Sequence, residues 1–324
     1  MSWLSKILGR PADRGGAATP LGPVGPRFDL LLGDPLAHEW QACLARGDWT
    51  DVGDFLRAQD DIEVRDFYLA ALSDTMRGWP AWLDTWVERE PHDALPRLMR
   101  AWRYTAYAWD ARTKASAKDV KQDAWPLFFG RLNKAEADLA VAANLAPDDA
   151  GPWALMLRTA RGLQMGIPES RRRFAEVERR SPWHAWACQQ VIQSVAAKWG
   201  GSDELMFEIA RGISARAPEG MDAHVVIADA YFEAWDRDDK DYWERPEART
   251  EILEAARRCL SAPHVTPRTV LVRNAFAFCF WQLGERDLLR EQLEQIGDIM
   301  TTPWDRFADP AAVFARARRY AQAY

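Results

Sequence analysis

The chain is poor in what marks a disulfide scaffold, a membrane protein or a metal centre. Only four cysteines (Cys43, Cys188, Cys259 and Cys279) are spread over 324 residues. None forms a CxxC pair or stands at a zinc-ligand spacing from a histidine, which argues against a disulfide framework and a zinc site. Each lies in an apolar helical context and reads as a buried thiol, in keeping with a reducing cytoplasm. There is no run of about 18 apolar residues, so no transmembrane helix is expected. The N-terminus has no signal-peptide core or cleavage site.

Basic excess is lacking too. The net charge is −6, and non-specific nucleic-acid binding needs a basic footprint. The densest basic run, Arg171 to Arg173 with Arg179 and Arg180, is broken by Glu169, Glu176 and Glu178 and reads as a solvated helix face. No stretch alternates with the period of a strand; Val225 to Ile227 falls inside a helical period. Catalytic motifs are missing: no G-x-S-x-G, H-E-x-x-H, phosphate-binding loop or G-x-G-x-x-G occurs. Residues 236–244 are acidic but have neither the spacing nor the central glycine of a calcium loop. His92, His184, His224 and His264 follow repeat boundaries about a helix pair apart, too far to share a metal. No catalytic residue, metal or cofactor is expected, and the balance lies against an enzyme.

What is present is helix after helix. Pro147, Pro182 and Pro218 recur at 35 and 36 residues, each closing an amphipathic stretch. That interval is the mark of stacked helical hairpins. Ala135, Leu139, Ala142 and Pro147 fit the end of a tetratricopeptide (TPR) second helix; Phe174, Val177 and Pro182 repeat it less well, as do Ala210, Ile213 and Pro218. Small residues let paired helices approach, an aromatic fills the gap, and proline stops the second helix. The step from Pro91 to Pro147 is 56 and from Pro218 to Pro263 is 45. The expected fold is therefore an all-α, TPR-like helical-hairpin solenoid (an α-α superhelix) with irregular flanking repeats. Residues 1–9 read as a short amphipathic segment and 10–33 as a flexible Gly/Pro-rich linker, with residues 34–324 as the one solenoid domain. The apolar face of residues 2–8 suits contact with a membrane surface or a partner groove.

The chain also holds 17 tryptophans against 7 tyrosines. At helical spacing beside other apolar residues they are expected to fill gaps between helices, each N–H reaching a partner; the alternative is that some line a ligand groove.

Several stretches, Arg161 to Gly166, Arg171 to Phe174, Lys198 to Ser202 and Asn274 to Ala277, resemble those of a bacterial family of TPR-like all-helical proteins to which no activity is assigned. The resemblance implies the fold and lends no catalytic residue. In such stacks the first helix of each hairpin lines the concave face. Those helices are expected near 92–109, 150–165, 183–198, 221–236 and 267–283. Their polar members, Arg158, Arg161, Gln164, Gln189, Gln193, Lys198 and Asn274, with Trp199, are the candidate contacts for a protein or peptide partner through hydrogen bonds to its backbone or carboxylate. The alternative is an enzyme or small-ligand binder, carbohydrate included, with a Trp-lined pocket and paired carboxylates; Asp229 and Glu233, near Trp235, are such a pair. A third reading is a structural subunit anchored through residues 2–8. An open groove would favour the peptide and a deep pocket with a perturbed carboxylate the ligand.

Overall fold

The computed structural model describes residues 25–112, 121–238, 242–261 and 266–323. The expected N-terminal segment, most of the linker, residues 113–120, part of the acidic stretch and His264 lie outside the described residues; of a loop expected over 111–119, the first two residues belong to the helix Ala94–Arg112. The described chain is all-helical. We number the helices α1 (Pro35–Arg46), α2 (Trp49–Arg57), α3 (Ile62–Thr75), α4 (Trp82–Arg89), α5 (Ala94–Arg112), α6 (Ala124–Leu145), α7 (Gly151–Gly162), α8 (Ile167–Arg180), α9 (Ala185–Val195), α10 (Asp203–Arg216), α11 (Val226–Asp238), α12 (Pro246–Leu260), α13 (Thr269–Leu283), α14 (Arg286–Ile296) and α15 (Pro310–Gln322).

Local chemistry sets the boundaries. Pro147, Pro182 and Pro218 each stand two residues beyond a helix end, after α6, α8 and α10. A proline ring clashes with a helical residue before it, and the preceding Ala146, Ser181 and Ala217 all leave the helical region, at φ/ψ of −128/76°, −140/81° and −64/137°. Helix starts are capped by side chains that accept the first free N–H groups: Asp34 from Ala37, Asp61 from Glu63, Ser202 from Leu205 and Asp309 from Ala312. Pro96 is tolerated in α5 because it stands in the first turn, where the N–H has no intrahelical partner.

Most consecutive helices pack on each other, though α3 packs on α5 rather than on α4, and α7, α9, α11 and α13 also pack on one another in file, with α8, α10 and α12 each against them. The core runs through the whole described chain, from Leu31 to Ala321. Two features depart from the reading of the sequence. The flexible linker ends before residue 33: Leu31 and Leu32 are buried, and Arg27–Phe28 (β1) pairs in parallel with Ile299–Met300 (β2), the one sheet of the described residues. These two-residue strands are too short to show a period of two. The second departure concerns the tryptophans. They do fill interhelical gaps, as Trp86, Trp102 and Trp304 show at 0–2% exposure, but the buried indole nitrogens of these three have no hydrogen-bond partner. Ring packing around them (Trp304 on Phe278, Phe314 and Trp281) carries the stabilisation instead.

The described ends of the chain meet. Beyond the β1–β2 pair, α3 docks on the start of α9, and residues 299–307 lie across α11 and α13, with Asn274 holding Ile299 and with Phe307 against Trp235 and Phe278. Residues 299–307 thus lie over parts of α11 and α13, and a cleft lies between α9, α11, α13 and residues 302–306.

Candidate functional site

The cleft is built from three inner helices and one cross-chain segment. It encloses about 70 Å³ and is lined by Gln189, Gln193, Lys198, Asp229, Phe232, Leu271, Ala275, Thr302, Pro303 and Arg306. The cleft is open to solvent on one side, and its sheltered part has room for a few water-sized groups. The geometry follows from helical spacing: Gln189 and Gln193 are four apart on α9, Asp229 and Glu233 four apart on α11, so two rungs face each other. Gln189 Nε2 donates to Asp229 Oδ2 at 2.9 Å and Gln193 Nε2 to Glu233 Oε2 at 2.7 Å. The outer end is closed by Lys198, whose Nζ lies 2.6 Å from Glu233 Oε1. At the inner end Arg268 Nη2 donates to Gln189 Oε1 at 2.7 Å.

Lys198 reaches the cleft because of the turn after α9. A 3₁₀ turn, Ala197–Trp199, is followed by Gly200 at φ 90° and then Gly201, whose N–H returns to Ala196 O at 3.2 Å. Arg306, on the 3₁₀ turn Trp304–Arg306, is held 3.6 Å from Asp236 and remains about one-third exposed.

Asp229 is the chemically unusual group. Burial pushes its carboxyl up to about 7, with neighbouring Glu233 adding to the rise, against the Gln189 hydrogen bond and the Arg268 charge. Near neutrality it can donate or accept a proton. The folded state keeps a proton that the unfolded chain releases near 3.8, so stability falls as pH rises between about 4 and about 7. Asp229→Asn is expected to remove this slope. Urea unfolding at about pH 5 and about pH 8 should show wild type losing about 2–3 kcal/mol relative to the variant; parallel losses would refute the assignment.

A second polar cluster adjoins through Arg268. Glu63, Asp66, Trp102, His184, Trp186 and Arg268 surround about 10 Å³, room for one water. His184 Nδ1 accepts from Ala187 N–H at the start of α9, and Nε2 lies 3.2 Å from Asp66 Oδ2. In the neutral ring Nδ1 accepts and Nε2 donates to Asp66; protonation keeps the Asp66 bond and gives up the long 3.4 Å one from Ala187 N–H. Although burial opposes it, the Asp66 hydrogen bond and the Glu63 and Asp66 charges raise the imidazole. Arg65 and His184 hold Asp66 below the usual carboxylate range against the same desolvation. Glu63, whose Oε2 accepts from Ala185 N–H, is pushed up by burial. Among the described residues no three His, Cys, Asp or Glu side chains converge as metal ligands.

Of the residues read from sequence, Gln189, Gln193 and Lys198 meet in the cleft. Asp229 was read only as one of a carboxylate pair, and its partner Glu233 is 4% exposed behind the lining. Trp235 packs on Phe278 and Phe307 instead of lining the cleft. Asn274, 0% exposed, binds Val270 O and Ile299 O and receives Thr301 N–H, so it joins α13 to β2 and is not a surface contact. Gln164 is exposed at φ 58° in the turn between α7 and α8. Arg158 and Arg161 are 1% and 7% exposed and lie with partly buried Trp199 in a separate arginine–tryptophan cluster. Arg306 was missed; it stands in a segment with no helical period, and only the fold carries it to the cleft.

No known family model matches this sequence, and no curated protein is significantly similar to it.

Proposed function

We propose that this chain is a TPR-like binding protein of stacked helical hairpins that holds the carboxylate end of a compact ligand, such as the last residue of a partner peptide, in the α9–α11–α13 cleft. The file of inner helices with the other helices against it supports the repeat reading. The observation that carries the ligand reading is the convergence of Lys198 and Arg306, both partly exposed, on one small cleft with two glutamine amides. Cations and amide donors suit a carboxylate. The free thiols, buried at Cys188, Cys259 and Cys279 and half-buried at Cys43, accord with a reducing compartment, and no described helix is long and apolar enough to cross a membrane.

A second reading, acid–base chemistry on the bound ligand, is favoured by the place of Asp229, a desolvated carboxyl that lines the cleft and accepts from Gln189. The test common to both is calorimetric titration with N-acetylglycine against its methyl ester. Wild type is expected to bind the free acid at least tenfold more tightly, and the Lys198→Ala/Arg306→Ala double variant to lose the difference. Equal binding of acid and ester, or a preference that survives in the double variant, would overturn the carboxylate assignment.

A further inference from the structure

Three arginines that the cleft does not use are buried together elsewhere. Arg112 ends α5, and Arg158 and Arg161 lie on α7, at 8%, 1% and 7% exposure. They surround two indoles. Arg112 stands 5.2 Å from the Trp109 ring centre and 5.9 Å from that of Trp199; Arg158 is 5.6 Å from Trp109, and Arg161 5.7 Å from Trp199. The two indoles meet edge to face at 6.3 Å. Cation–π attraction offsets only part of the cost of taking three guanidinium ions out of water.

The hydrogen bonding falls short. The buried Nε and Nη2 of Arg158 have no partner, and Arg161 makes one long bond, to Gln190 O at 3.4 Å. A buried guanidinium is ordinarily met by a carboxylate fork. Here the carboxylates within electrostatic reach are shared. Asp74 and Asp110, which act on Arg158, also act on Arg103. Glu233, which acts on Arg161, is already held by Lys198 and Gln193. Burial pushes Arg158 down to about 9 and Arg161 to about 10 and lowers Arg112 as well; a guanidinium keeps its charge in a protein. Positive charge is thus concentrated in an apolar, indole-walled place with donors to spare.

We propose that Arg112, Arg158 and Arg161 form a binding site for a compact multivalent oxyanion, a phosphate or the phosphoryl group of a small metabolite. Three guanidinium groups grouped about the same two indoles, one of them with unpartnered buried donors, suit a tetrahedral anion of more than one charge better than a single carboxylate. The site does not depend on the carboxylate cleft, and its test is separate from that one. Calorimetric titration of the full chain with inorganic phosphate at constant ionic strength, with chloride as control, is expected to show one site. The same titration with glycerol 3-phosphate separates the sources: more than tenfold tighter binding than phosphate identifies an organic phosphate, equal binding the free ion. Arg158→Met should weaken either anion at least tenfold while leaving the anion-free protein as stable as wild type or more so, since an unpartnered buried charge gives way to an apolar chain. Arg112→Leu gives the same loss by an independent route. No binding beyond the chloride control, or anion binding unchanged in both variants, overturns the proposal.

Discussion

Asp66→Ala is expected to lower the unfolding free energy by about 3–5 kcal/mol, the loss usual when one member of a buried ion-paired network is removed. Asp66 is 3% exposed on α3 and accepts from Arg65 at 2.9 Å and from His184 at 3.2 Å across 118 residues of sequence. Without it, Arg65 keeps both of its bonds to Asp149 at 2.8 Å. His184 is left with an unpaired Nε2–H in a closed site beside Glu63, and this orphaned donor is the larger part of the loss. The raised imidazole also drops, because its proton was held chiefly by Asp66. Wild type should therefore owe this joint stability that is present at low pH and lost as pH rises through the elevated His184 value, countered by the Asp66 contribution, which is lost as pH falls through its depressed one. Asp66→Asn keeps the shape and one acceptor and should recover part of the loss. Denaturant unfolding of wild type and the two variants at neutral pH checks the order. A change under about 1 kcal/mol for Asp66→Ala would mean that the α3–α9 joint relaxes freely and does not brace the cleft.

Gly201→Ala is expected to cost about 3 kcal/mol or more, or to force the 196–201 turn into a new path. A Cβ on Gly201 would lie 1.8 Å from Val195 O and 2.5 Å from Val195 C, both backbone atoms at the end of α9 that no rotamer change can clear. Gly200 next to it is the control. It has a left-handed φ of 90° but nothing within 4 Å of its would-be Cβ, so Gly200→Ala carries only the conformational penalty of about 1–2 kcal/mol. The turn sets Lys198 against Glu233, so Gly201→Ala should also weaken N-acetylglycine binding while Gly200→Asn, which tolerates the left-handed region, should not. Equal stabilities for the two alanine variants would refute the steric reading.

The hairpins were legible because their causes are local. Helical period, a capping Asp or Ser and a terminating proline act within a few residues, and so the helices expected near 183–198 and 267–283 appear as Ala185–Val195 and Thr269–Leu283. The cleft was legible in part: Gln189, Gln193 and Lys198 stood out as polar residues on an inner helix. Asn274 looked the same in sequence yet is buried, because the backbone of residues 299–301, brought over α13 by the fold, needs its amide as a partner. Arg158 and Arg161 likewise read as surface contacts, since charged side chains are seldom buried.

By itself, then, the sequence determined the all-α class of the described residues and where most of their helices end, since these rest on interactions a few residues apart. The tertiary structure alone decided that the described ends meet, that residues 299–307 lie over parts of α11 and α13, that Asp229 is desolvated toward neutrality, and that three arginines share two indoles. Each depends on groups far apart in the chain: 118 residues for His184 and Asp66, 79 for Arg268 and Gln189. Burial and charge at such places are set by what the rest of the chain lays over them, and no local period records that.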